Sequence, residues 1–246
     1  MTLQRQAAAT LILYAMLTLV AYSLLSVVFH FPDILREPIA DRFTLFQDNA
    51  RVIVPTYYAF ALTGLLQITF SVLLFSLFNQ TRPNALLALV FGVLSGLTQM
   101  LGYLRWVAAL PFLASQSAVA DMSIFEGVLN TYLGMTVGEH LGNLFLAGWL
   151  WNLRGVLKPV RALDSRLSAM AGIAGVLMLA VAFEPLGGPF SVLSPLTLPV
   201  WGLVVTWMLL LAYALLRRRD ASPRLPNWAW GAAMLFWLVN VVPAFI

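Results

Sequence analysis

The sequence predicts an all-α polytopic transmembrane helix bundle of seven spans, with the N-terminus in the cytoplasm and the C-terminus outside. Three observations predict it. Of the residues, 61% are hydrophobic and 10% charged, and the mean hydropathy is +0.88. Soluble domains carry roughly 25% charged residues, so a water-facing surface cannot be built from this chain. The apolar residues are gathered into seven long runs, and most Lys and Arg residues lie between alternate runs.

The runs cover residues 7–29, 52–78, 85–104, 132–153, 167–183, 198–216 and 228–245. Each is near the roughly 20 residues that cross a bilayer core, and the longer ones can tilt. Backbone in lipid must satisfy its own hydrogen bonds, so each run is read as a helix, and the lack of period-2 alternation argues against a barrel. The first run is too long for a signal-peptide core and no small-x-small cleavage site follows it, so it is read as a retained span. After it, Ile39, Phe43 and Phe46 recur at helical spacing among Asp41, Arg42, Gln47 and Asp48. This predicts a short helix lying in the interface. Ser123-Ile-Phe-Glu126 has the pattern of a capping box, which would start the fourth helix near Ser123 and carry it to Arg154, about 48 Å. Glu184-Pro-Leu-Gly-Gly-Pro189 reads as a turn-rich connection after the fifth helix. No internal repeat is visible, which weakens an inverted-repeat transporter reading.

Orientation follows from the basic residues. Arg5, Arg82, the Arg154–Arg166 loop and the Arg217–Arg224 loop place ten Lys or Arg on one side. The other side holds Arg36, Arg42 and Arg51, offset by Asp33, Glu37, Asp41 and Asp48. The positive-inside rule makes the first side cytoplasmic. Residues 1–246 are thus one membrane domain. Its first part, 1–154, carries nearly all the polar residues of the spans, and the remainder, 155–246, is almost featureless.

Several functions are set aside by counting. The chain has no Cys and only two His. Disulfides and thiolate metal sites are therefore excluded, and with no HExxH spacing neither a metal nor a cofactor is predicted. The pI near 9.8 comes from loop residues placed where the positive-inside rule puts them, so no nucleic acid is expected. Lys158, the only Lys, lies in a loop, so no retinal Schiff base can form within the spans.

The fourth helix is the most informative element. Gly134, Gly138 and Gly142 form a small-residue ridge that lets another helix approach at backbone distance. Tyr132, Thr136, Glu139 and Asn143 follow helical spacing and would share a stripe facing away from the glycines, with His140 beside it. A carboxylate at the depth of Glu139 costs several kcal/mol unless paired, wetted or protonated. Arg105, at the outer end of the third helix, is its expected partner. Gln99 adds polarity on the third helix. Arg105, Glu139 and His140 admit three readings: a structural ion pair with a hydrogen-bonded His, a binding site, or an acid–base pair.

Gly102-Tyr-Leu-Arg105-Trp106, Pro111-Phe-Leu-Ala114, Tyr132-Leu-Gly134 and Gly138-Glu139-His140-Leu-Gly142, with Phe31-Pro-Asp33 and Leu35-Arg36-Glu37-Pro38 upstream, form a recognisable set of strings. The chain resembles in them an uncharacterised group of bacterial multi-pass membrane proteins, the domain of unknown function 4386. The resemblance covers mainly residues 31–150. It implies a bacterial inner (plasma) membrane setting, makes Arg105, Glu139 and His140 family features, and brings no activity. The leading expectation is binding or transport of a small hydrophobic or anionic molecule through an outward-facing cavity among helices one to four. The alternatives are a non-catalytic scaffold or sensing subunit that uses the glycine ridge, and a membrane-embedded enzyme using Glu139 and His140. Expected partners are membrane lipids, a small amphiphilic ligand, and a second copy or membrane partner.

Overall fold

The structure, a computed structural model, describes residues 2–78, 82–115, 119–160, 163–217 and 224–241, and of 119–123 and 240–241 the backbone alone. Among the described residues there is no strand, and seven long helices account for most of the chain. They are α1 (Leu3–Phe29), α2 (Ile39–Phe78), α3 (Pro83–Ala114), α4 in three contiguous stretches (Val119–Val128, Leu129–Leu141 and Gly142–Leu157), α5 (Ser165–Val181), α6 (Ser194–Arg217) and α7 (Asn227–Val241). By length and composition, α1, α2, α3, α5 and α6 are long and apolar enough to cross a membrane. The polar residues of α4, among them Glu139, His140, Asn143 and Asn152, dilute its apolar run. The 15 described residues of α7 span about 22 Å.

Two helices run beyond their expected bounds. No separate interfacial helix precedes the second span, because residues 39–78 are one helix of 40 residues, about 60 Å long. Nothing between Phe46 and Val52 breaks it, and Pro55 costs one main-chain hydrogen bond without ending it. The fourth helix begins at Val119, so Ser123 lies within it and is no N-cap. Contacts of the Ser123 side chain lie outside what is described. Glu126, the other half of the expected box, instead meets Arg42 of α2.

Neighbouring helices close into a ring in the order α1, α2, α3, α4, α5, α6 and back to α1, with α7 against the outside of α6. Aromatic side chains fill the ring. Toward the Lys/Arg-rich end, Tyr14, Phe70, Trp149 and Trp207 meet in sequence, the last two edge to face at 5.6 Å. Toward the other end, Tyr57 stacks on Trp106 at 5.2 Å and Phe60 on Tyr103 at 4.2 Å. Lipid gives helices no hydrophobic reason to associate, so close packing must hold them. α3 is the element most closely engaged. A Cβ on Gly64 of α2 would strike the carbonyl oxygen of Gly96, and one on Gly102 would come within 2.8 Å of Gly138 Cα in α4.

Candidate functional site

At the end of the bundle away from the Lys/Arg-rich loops, four segments converge: the 30–38 connection, the start of α2, the last turns of α3 with α4 against them, and the turn after α5. The local backbone is unusual. Leu129–Leu141 in α4 and Arg105–Ala109 in α3 wind as π-helix. The Thr136 hydroxyl donates to the Thr131 carbonyl five residues back, at 2.9 Å, where an α-helix would offer the carbonyl four back. Glycines at 134 and 138 leave room for that wider turn beside α3. Single-turn π insertions mark functional sites often, and 13 residues is long for one.

A buried polar chain ties the segments together. The Arg42 guanidinium pairs with the Glu126 carboxylate at 2.6 Å, both nearly free of solvent contact. Arg42 Nη1 also donates to the Leu35 and Glu37 carbonyls at 2.9 and 3.1 Å. The Leu35 carbonyl accepts a second bond from Asn130 Nδ2 at 3.0 Å. The Asn130 side-chain oxygen accepts from Arg105 Nη2 at 3.0 Å, and Arg105 Nη1 ends the chain on the Gly102 carbonyl at 2.7 Å. The terminal nitrogens of two buried guanidinium groups are thereby partnered, Arg42 by a carboxylate and Arg105 by neutral oxygens alone, while Nε of each has no partner.

Beside this chain lies a partly exposed group. Arg36 grips Glu184 with two nitrogens, Nε to Oε1 at 3.1 Å and Nη2 to Oε2. The Glu184 side chain is 3% exposed. The Glu139 side chain is 28% exposed, and the nearest cation to its carboxylate is Arg36 Nη2, at 4.0 Å. That distance is too long for a hydrogen bond, and no other donor among the described residues reaches Glu139. His140 Nδ1 lies 2.7 Å from the Ala182 carbonyl. A carbonyl only accepts, so Nδ1 carries a proton and donates it to Ala182. Phe183 stands against the ring at 5.4 Å. One guanidinium thus holds Glu184 and stands 4.0 Å from Glu139, next to an oriented imidazole.

This geometry replaces the expected pairing. Arg105 makes no ion pair with Glu139. Its guanidinium lies over Gly134 and is spent on Asn130 and Gly102. The two residues are on adjacent helices at a similar level, but a shorter reach to polar atoms of α3 and α4 wins over the longer one to Glu139. The expected stripe also separates. Tyr132 is exposed, Thr136 bonds its own helix, Glu139 turns toward Arg36, and Asn143 is buried. An i→i+5 winding does not preserve a stripe drawn at 3.6 residues per turn. Gln99 is buried, donating to Ser95 Oγ at 3.1 Å, and Ser95 in turn donates to the Gly142 carbonyl at 3.0 Å. Gly134, Gly138 and Gly142 all face α3, against Arg105, Gly102 and Gln99 respectively.

Sequence reasoning missed Arg36, Glu184, Arg42, Glu126 and Asn130. Glu126 and Asn130 carried a signal, being polar residues one helical turn apart in a largely apolar stretch. Arg36 and Glu184 lie 148 positions apart in separate loops, and nothing local links them. Among the described residues no group of three His, Asp or Glu could hold a metal ion. In comparisons with known proteins, the chain matches no family model, no curated protein and no solved structure.

Proposed function

We propose that this is a seven-span membrane protein that binds small, membrane-partitioning cations at Glu139, on its outward face. The topology rests on the split of basic residues between the two ends, with α4 and α7 crossing alongside the five more apolar helices. The observation that carries the ligand reading is the state of the charges. Arg36, Arg42 and Arg105 are committed to Glu184, Glu126 and Asn130. Glu139 has no close partner and keeps a quarter of its side chain exposed. An anion would have to displace one of those committed contacts, whereas a cation would complete the arrangement. In this reading the expectation of a small hydrophobic or anionic ligand narrows to a hydrophobic cation. A groove of about 460 Å³ at the same end is lined by Ile39, Ile124, Val128 and Tyr132 among others, without Glu139 in its lining, and offers apolar surface there. The glycine ridge is covered by α3, which does not favour a scaffold that uses it as an external interface. Kinship with the domain of unknown function 4386 belongs to this proposal as the setting, and adds no activity.

Matched lipophilic ions test it. Tetraphenylphosphonium and tetraphenylborate share size and apolar surface and differ in sign. The expected result is thermal stabilisation of the purified protein by the phosphonium, weakened about tenfold in apparent affinity by Glu139→Gln with the unliganded melting temperature kept. Tenfold corresponds to roughly 1.4 kcal/mol, a modest value for one charge contact. Equal binding of the borate, or phosphonium binding unchanged in Glu139→Gln, contradicts the reading.

A further inference from the structure

Inside the ring, Trp149 of α4 and Trp207 of α6 stand edge to face at 5.6 Å. Both are closed to solvent. An indole has one polar hydrogen to place, its N–H. Trp207 Nε1 donates to the Leu167 carbonyl of α5 at 2.9 Å. Trp149 Nε1, equally buried, has no hydrogen-bond partner among the described residues. Gln67 of α2 shares that condition. It is 1% exposed, and neither the oxygen nor the nitrogen of its amide has a hydrogen-bond partner among the described residues. In the apolar run 52–78 Gln67 lies about 3 Å along the axis from the midpoint.

α3 brings the two side chains into one neighbourhood. A Cβ on Gly92 would run into Ser71 Oγ and lie 2.7 Å from Trp149 Cδ1, the ring carbon bonded to Nε1. A Cβ on Gly96, one turn along α3, would lie 3.1 Å from Gln67 Cβ. Ser71 is one turn from Gln67 on α2, and its hydroxyl donates to the Gln67 main-chain carbonyl at 2.7 Å. That hydrogen is spent, so the Ser71 oxygen is left as an acceptor.

Polar atoms sealed in a membrane protein without partners are costly, because lipid offers them nothing. The chemistry of an occupant follows from the groups present. Residues 52–78 of α2, 83–104 of α3 and 141–153 of α4 include no charged side chain, so the occupant is neutral. A Cβ on Gly64 would strike the Gly96 carbonyl, so α2 and α3 pack too closely here for a large guest. Gln67 Oε1 needs a donor, while Gln67 Nε2 and Trp149 Nε1 need acceptors. A molecule that is small, neutral and able to do both is water.

We propose that Gln67, Ser71 and Trp149 hold a buried water site near the middle of the membrane, hydrogen-bonding α2 to α4 beside Gly92 and Gly96. A buried water typically makes about three hydrogen bonds to groups otherwise unsatisfied, which the three unpartnered atoms and the Ser71 oxygen provide. The site is independent of Glu139 and of the cation reading.

The test is solid-state NMR of the full chain in lipid bilayers, with isotope-labelled indole nitrogens each assigned to its residue. Magnetisation from water is expected to reach the Trp149 N–H several-fold faster than the Trp207 N–H, which is equally buried but bonded to a carbonyl. Gln67→Met, close in volume, should slow the transfer to Trp149, leave Trp207 as it was and not raise the melting temperature. Equal transfer to the two indoles overturns the proposal, and this comparison needs no variant to fold. Transfer to Trp149 unchanged in Gln67→Met also overturns it, since the two groups would then not share a site. A higher melting temperature in Gln67→Met does so as well, because replacing a dry, unpartnered amide by an apolar group stabilises a core.

Discussion

A single methyl group at the α3–α4 contact tests whether backbone-to-backbone packing holds this bundle. A Cβ on Gly138 would lie 2.9 Å from Gly102 Cα, and one on Gly102 would lie 2.8 Å from Gly138 Cα. Neither atom belongs to a side chain that could rotate away. Carbon atoms rest at about 3.5–4.0 Å, so in Gly138→Ala the helices must part by roughly 0.6–1.1 Å. That displacement would also loosen Arg105 over Gly134 and Gln99 against Gly142, one turn to either side. Overpacking of this kind costs about 1–3 kcal/mol, and the loss of adjacent contacts places Gly138→Ala in the upper half of that range. For a chain of this size, about 2–3 kcal/mol lowers the melting temperature by roughly 4–12 °C. The assay is thermal unfolding in detergent, with Gly231→Ala in α7 as the control, since a Cβ there meets nothing within 4 Å. Gly231→Ala should hold or raise the melting temperature, because alanine is the better helix former. A Gly138→Ala protein as stable as the wild type would refute the packing argument.

Other consequences follow from the buried charges. Glu126→Gln removes the partner of Arg42 in a site closed to solvent and should cost about 3–5 kcal/mol. The double substitution R42M/E126L should cost less than Glu126→Gln alone, and a larger loss in the double would show that the pair itself stabilises the fold. Burial alone would raise the Asp164 carboxyl, but the Arg166 side chain and the backbone N–H groups of Arg166 and Leu225 hold it below its ordinary value. Its native pKa is thus below the unfolded value of about 3.9. The stability it confers is complete above that pH and disappears as pH falls through the native pKa. The melting-temperature difference between the wild type and Asp164→Ala, which removes an N-cap worth about 0.5–2 kcal/mol, should therefore shrink on acidification below about pH 4. A difference constant to pH 2 would place the Asp164 contribution elsewhere.

The helical class was legible because apolar runs of membrane length leave the backbone no alternative to helix. Helix ends were less legible. The interfacial reading of residues 39–48 failed because amphipathic spacing looks the same in a helix that lies flat and in one that extends a span. The capping box at Ser123 failed because a four-residue pattern carries little information against a helix already under way. Within the site, Glu139 and His140 stood out by their cost in lipid. The stripe through Tyr132 and Thr136 did not hold, since π-helical winding is set by contact with α3 and has no periodic signature of its own. Arg105 chose Asn130 because the nearer acceptor satisfied it. Arg36 found Glu184 through tertiary closure of two loops, which no local pattern encodes.

The orientation of the bundle underlies the placement of the Glu139 site, and the absence of Cys from the sequence makes it directly measurable. Ser191→Cys lies in the connection between α5 and α6, and Pro159→Cys in the connection between α4 and α5, both exposed. In intact cells expressing either variant, a membrane-impermeant thiol reagent should label Ser191→Cys at once and Pro159→Cys only after lysis. Labelling of Pro159→Cys from outside, or of both positions from the same side, would contradict the threading and with it the outward placement of Glu139.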